Sequence, residues 1–150
     1  MSRKRRRTLT VGSRRYLWWT DHRHRDGACA EVLQIRRLGA AAGVTLVFAP
    51  GEGRYVADGG TCPTATVSTP AHHLNLNLPG VVRALLDTAE DAGWLLDSTP
   101  IAERDGWELF DAAHTAYSAT RRPCITSLSH GTQILVVEKH QSGRRRDGPE

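Results

Sequence analysis

Between Leu74 and Leu86 the hydrophobic repeat of this chain changes period, and that change restricts the fold more than any other stretch. Leu74, Leu76 and Leu78 alternate with Asn75 and Asn77, the pattern of a half-buried strand. Val82, Leu85, Leu86 and Ala89 then recur at the spacing of one buried helical face. Pro79 suits the first helical turn, where its missing N–H leaves nothing unpaired. Gly93 supplies a left-handed position after the last turn, and Trp94 folds back on the helix end. The pattern predicts a strand running straight into a helix from about Gly80 to Ala92. On its wet face Arg83 and Asp87 pair across one turn, worth about 0.3 kcal/mol.

Upstream, the aromatic and β-favouring run Tyr16-Leu17-Trp18-Trp19-Thr20 predicts a first strand. A polar loop is expected from Asp21 to Gly27, then a second strand from Cys29 to Arg37. Val44 to Phe48 forms a third strand and Arg54 to Ala57 a short fourth, separated by Gly-bearing turns. Short connections of this kind imply an antiparallel meander. The fold expectation is therefore α+β: a single domain with an antiparallel sheet of about four to five strands and one main amphipathic helix packed on one face. Beyond Leu96 two patterns overlap. Leu109, Phe110, Ala113, Ala116 and Tyr117 make a helical stripe behind the cap-like Asp105-Gly106-Trp107-Glu108. Trp107, Leu109 and Asp111 equally make a strand returning to the sheet edge. Ile134 to Val137 reads as a short last strand. The expected organisation is a basic disordered tail over 1–10, the domain over 11–112, an extension over 113–139 and a charged disordered tail over 140–150.

Charge supports that division. The chain of 150 residues has a net charge of +4, and its pI is about 9.3. Residues 1–7 alone supply five positive charges, and residues 143–150 a net of one more, so residues 8–142 sum to −2. The excess of Arg over Lys, together with Ala and Gly richness, fits codon bias in a GC-rich genome. Cys29, Cys62 and Cys124 form no CxxC pair, and this sparse, odd count fits a reducing cytoplasm. Ser13-Arg14-Arg15-Tyr16-Leu17 imitates a twin-arginine signal, but the polar run from Thr20 to Asp26 leaves no room for an apolar region. No membrane segment is expected.

Four chemistries have candidate residues. For a metal, Asp21, His22, His24, Asp26 and Cys29 lie within nine residues, and His72-His73 offers more imidazole from another loop. Histidines two apart on a strand point the same way, so His22 and His24 are the candidate ligands of a metal-dependent hydrolase. Arg23 and Arg25 between them oppose a cation. For covalent catalysis, neither the cysteines nor Ser129-His130-Gly131-Thr132 matches a nucleophile motif. For phosphate, Gly51-Glu52-Gly53 and Asp58-Gly59-Gly60 lack the length and lysine of a P-loop. For nucleic acid, Arg3, Lys4, Arg5, Arg6 and Arg7, with Arg144, Arg145 and Arg146, would give salt-sensitive, sequence-independent contact. Tyr16, Trp18 and Trp19 could stack on bases.

The order Arg15-Tyr16-Leu17-Trp18, strands, Pro79-Gly80-Val81-Val82-Arg83-Ala84-Leu85-Leu86 and Ala92-Gly93-Trp94 resembles a family of small uncharacterised bacterial proteins of the high-GC, actinobacterial type. The resemblance covers roughly residues 12–112 and consists of packing motifs. It implies that Gly106 to Asp111 is a closing strand, and it implies no activity. The sequence reading is a non-enzymatic cytoplasmic accessory or binding module with a protein partner and no cofactor. Nucleic-acid binding through the Arg-rich ends is the alternative.

Overall fold

The alternating residues near the N-terminus build an uninterrupted antiparallel ladder. In the computed structural model, which describes residues 5–57, 64–95 and 100–121, the ladder comprises β1 (Arg7–Val11), β2 (Arg14–Arg25), β3 (Ala28–Arg37) and β4 (Gly43–Phe48). A second, three-stranded sheet follows, from β5 (Tyr55–Val56), β6 (Thr66–Ser68) and β7 (His73–Asn75). Helix α1 (Pro79–Asp91), strand β8 (Ala102–Asp105) and helix α2 (Trp107–Thr120) complete the described chain.

The α+β class and the packed main helix agree with the sequence, but the sheet is not purely antiparallel. Its order is β1-β2-β3-β4-β8, and β8 lies parallel to β4, with Val44 opposite Ala102. A parallel neighbour needs a long crossover, supplied here by the small sheet and α1. The fourth expected strand shrinks to Tyr55–Val56 and belongs to the second sheet. The expected closing strand at 106–111 is the start of α2 instead, and this helix continues past residue 112 to Thr120. Strand β1 starts at Arg7, inside the segment that charge assigns to a tail. The expected loop from Asp21 is strand as far as Arg25, leaving Asp26 and Gly27 as the turn. Arg144, Arg145, Arg146, the 134–137 strand and the 140–150 tail lie outside the described residues.

One face of the large sheet carries Tyr16, Trp18, Leu33, Ile35, Val44, Leu46 and Phe48, all buried. They share a single core with Val67 and Leu74 of the small sheet, Leu85 and Leu86 of α1, and Phe110 and Ala113 of α2. Each fully buried Leu there contributes about 1.5–3 kcal/mol of transfer free energy. Helix α1 ends as the sequence predicts. Gly93 has φ 74, and its N–H donates to the Glu90 carbonyl while Trp94 N–H reaches that of Ala89, both at 2.9 Å. That is the paired closure of a Schellman motif. Leu78 departs from the alternation: it stands at the N-cap of α1 and is exposed, because the strand has already ended at Asn75.

Helix α2 starts with a close approach. Gly106 lies so near Phe48 that a Cβ there would stand 2.5 Å from the ring's Cζ. Phe48 packs edge-on against Trp107, with ring centroids 5.4 Å apart. Trp107 Nε1–H in turn donates to the Ala49 carbonyl at 2.8 Å. These contacts fix the end of β4 against the start of α2.

Candidate metal centre

The outer end of the β2–β3 hairpin extends past the core, and its turn sets what meets there. Asp26 and Gly27 both have positive φ, 52 and 79, the signs required by the two-residue turn that matches strand twist. A two-residue turn fixes the register, placing His24 opposite Cys29 and His22 opposite Glu31. Strand alternation puts all four on the face that carries Trp18 and Leu33.

Their side chains converge. The ligand atoms of His22, His24 and Cys29 all lie within 4.8 Å of one another. Cys29 Sγ is 3.1 Å from His24 Nδ1, and the two imidazole rings are 4.6 Å apart at 71°. Behind them sits Glu31, only 1% exposed and one of two buried polar residues among those described. His22 Nδ1 is 2.6 Å from Glu31 Oε1. A carboxylate only accepts, so with neutral imidazole Nδ1 carries the proton and Nε2 keeps its lone pair. A buried carboxylate orienting a histidine in this way is the usual support behind a ligating imidazole. Neighbouring ligand atoms of a tetrahedral zinc site stand roughly 3.3–3.8 Å apart, so the cluster needs a contraction of about 1 Å at its widest pair. Rotation of the exposed His24 and the half-buried Cys29 would supply that while His22 stays on Glu31.

The objection raised by Arg23 is removed by the fold. Arg23 lies on the opposite face, where its guanidinium donates to both carboxylate oxygens of Glu103 at 2.8 and 3.0 Å. Asp21 also alternates to that face, opposite Val32, and Asp26 occupies the turn. His72 is elsewhere, stacked on His114 of α2 with ring centroids 3.9 Å apart. His22 and His24 are therefore brought together, while Asp21, Asp26 and His72 are not part of the cluster. Sequence reading of the ligand pair missed Glu31. The signal for it was Asp26-Gly27, which fixes the pairing by itself.

The nucleic-acid candidates divide. Arg7 belongs to β1, packs over Trp18 and donates to the Asn77 carbonyl, so it is structural as well as basic. Arg6 lies over the Trp19 ring, 5.0 Å from its centroid. Arg5 is exposed just before the strand, and Arg3 and Lys4 lie outside the described residues. Tyr16 and Trp18 are buried in the core, which removes them as stacking surfaces.

The described surface includes two clefts near the sheet ends. One, of about 380 Å³, is lined by Val47, Arg54, Glu103 and Trp107 among others. The second, of about 620 Å³, is lined mainly by Ser13, Arg14, Arg15 and Arg37. Neither includes a residue of the His22–His24–Cys29 cluster. No family model, curated protein or solved structure matches this chain.

Proposed function

We propose that this protein is a small binding module whose β2–β3 hairpin holds a zinc-class divalent ion through His22, His24 and Cys29. The observation that carries the reading is the convergence of three ligand atoms of the correct type on one hairpin face, with Glu31 buried behind His22. Two imidazoles and one thiolate suit zinc, which favours four-coordinate nitrogen and sulfur sites. The donor set counts three, which leaves one position for water or for a side chain of a partner. A thiol ligand must stay reduced, which supports a cytoplasmic setting.

The test is metal analysis of protein purified without a histidine tag, followed by titration with zinc and cobalt. One equivalent should bind, and the cobalt form should show thiolate-to-metal absorption that Cys29→Ser abolishes. Zinc at about 100 times its dissociation constant should add about 2.7 kcal/mol to stability. Stoichiometry unchanged in a His22→Ala/His24→Ala variant that keeps its fold would refute the assignment.

A further inference from the structure

The second observation is independent of the hairpin cluster and concerns how charge is distributed. Residues 1–20 contain seven of the 20 cationic side chains and no acidic one, leaving 13 to face all 16 acidic groups in the rest of the chain. The fold turns the part from Arg7 to Thr20 into one corner of the large sheet. Strand β1 is an edge, paired only with β2 among the described strands.

Alternation sorts the corner into two faces. Leu9, Tyr16 and Trp18 turn toward the helices and the core. Thr8 and Thr10, opposite Leu17 and Arg15, turn the other way, on the side that also bears Trp19. On this helix-free side Arg6, Thr8, Thr10 and Arg15 are exposed, and Leu17 and Trp19 are half-buried. Trp19 is held from β3: Arg36 lies 5.7 Å from its ring centroid. The Arg36 guanidinium is itself fixed by bonds to the carbonyls of Ile35 and Val44, to Gln34 Oε1 and to Thr45 Oγ1, at 3.0–3.1 Å. Arg36 therefore acts as a brace for the ring, not as a phosphate ligand. Arg6, just before β1, lies over the same ring, and as an exposed side chain it can exchange that contact for a phosphate.

We infer that this helix-free corner of β1 and β2 binds single-stranded nucleic acid without sequence preference, with Arg5, Arg6 and Arg15 on phosphates and a base taking the Trp19 contact that Arg6 gives up. Charge complementarity selects a polyanion, and an aromatic ring set among exposed arginines selects unpaired bases over a duplex. A braced ring also costs little further ordering on binding.

The experiment is fluorescence anisotropy of the full chain with labelled oligothymidylate and oligouridylate longer than a roughly 4–16-nucleotide site. Binding is expected at about 50 mM salt, and the three exposed arginines should contribute about −2 to the slope of log affinity against log salt. Arg6→Ala/Arg15→Ala should flatten that slope by about 1.4. Arg83→Ala/Arg121→Ala, which removes the same charge from α1 and from the residue that ends α2, should leave affinity and slope nearly unchanged. Trp19→Leu, with its fold checked by circular dichroism, should weaken binding severalfold at constant slope. Comparing the two oligonucleotides separates DNA from RNA. Four results would each overturn the inference: no binding at low salt, equal loss in the helix-charge control, duplex binding as tight as single-strand binding, or equal competition by phosphatidylserine-rich vesicles. The metal assignment is unaffected by any of them, because its ligands lie on the other face of the sheet.

Discussion

Replacing Gly106 by Ala tests whether β4 and α2 meet as closely as described. Gly106 has φ −64 and ψ −22, so alanine meets no backbone strain and the effect is steric. The new Cβ would stand 2.5, 2.6 and 2.7 Å from Cζ, Cε2 and Cε1 of Phe48, about 1 Å inside normal carbon contact. The ring has nowhere to go. Phe48 is 0% exposed, its edge abuts Trp107, and Trp107 is tied to the Ala49 carbonyl. Overpacking of this kind costs about 1–3 kcal/mol. Two smaller effects accompany it: loss of a tolerated N-cap glycine, about 0.5 kcal/mol, and a gain of roughly 0.4–1 kcal/mol from a stiffer unfolded chain. They nearly cancel and do not involve the ring. Thermal unfolding should therefore move down by about 2–4 °C per kcal/mol. The discriminating measurement is a double-mutant cycle with Phe48→Leu, which removes the three clashing carbons. In that background Gly106→Ala should be close to neutral, giving a coupling of about 1–3 kcal/mol. A stabilised Gly106→Ala protein, or a coupling below about 0.5 kcal/mol, would refute the reasoning.

Three other outcomes are expected. Glu31→Gln should lower zinc affinity about 10–100-fold without changing stoichiometry, since it weakens the hold on His22 and removes no ligand; competition with a chromophoric chelator measures this. Leu85→Ala should cost about 2–5 kcal/mol in denaturant unfolding, because Leu85 is fully buried between α1 and the sheet. Burial, reinforced by His72 and His73 and opposed by Asp111, holds the His114 imidazolium below its ordinary pKa of 6.5. The unfolded chain then binds this proton more readily than the native one, so the contribution is intact above that value and declines as pH falls below it. His114→Gln should flatten stability against pH between about 6.5 and the lower native value, and unchanged pH dependence would exclude His114 as its source.

The helix from Pro79 was legible because local signals agreed: a proline at its start, a four-residue apolar stripe and a Gly-Trp close. Strand β8 was not. Its residues Ala102, Glu103, Arg104 and Asp105 have no apolar alternation, since the pair with β4 depends on Val44 and Leu46 supplying the burial. Trp107, Leu109 and Asp111 then imitated a strand, although Trp107, Phe110 and Ala113 make the buried stripe. The hairpin end was hidden for a related reason. Hydropathy reads His22-Arg23-His24-Arg25 as loop, yet these residues pair with β3 beyond the apolar core, where His22 is bonded to Glu31 and Arg23 to Glu103. For the site, His22 and His24 were legible from their spacing. Glu31 needed the register, which Asp26-Gly27 encodes but hydropathy does not.

The parallel seam between β4 and β8 also has a consequence in time. Strands β1 to β4 close through neighbouring turns, whereas Val44 meets Ala102 only after the small sheet and α1 have been placed between them. Loop-closure entropy makes that pairing a late event. Ala102→Gly should therefore speed unfolding and leave the refolding rate nearly unchanged, while Ile35→Val in the meander should slow refolding. The edge that docks last is also the first to open in native-state hydrogen exchange, so β8 amides should lose protection before those of β3.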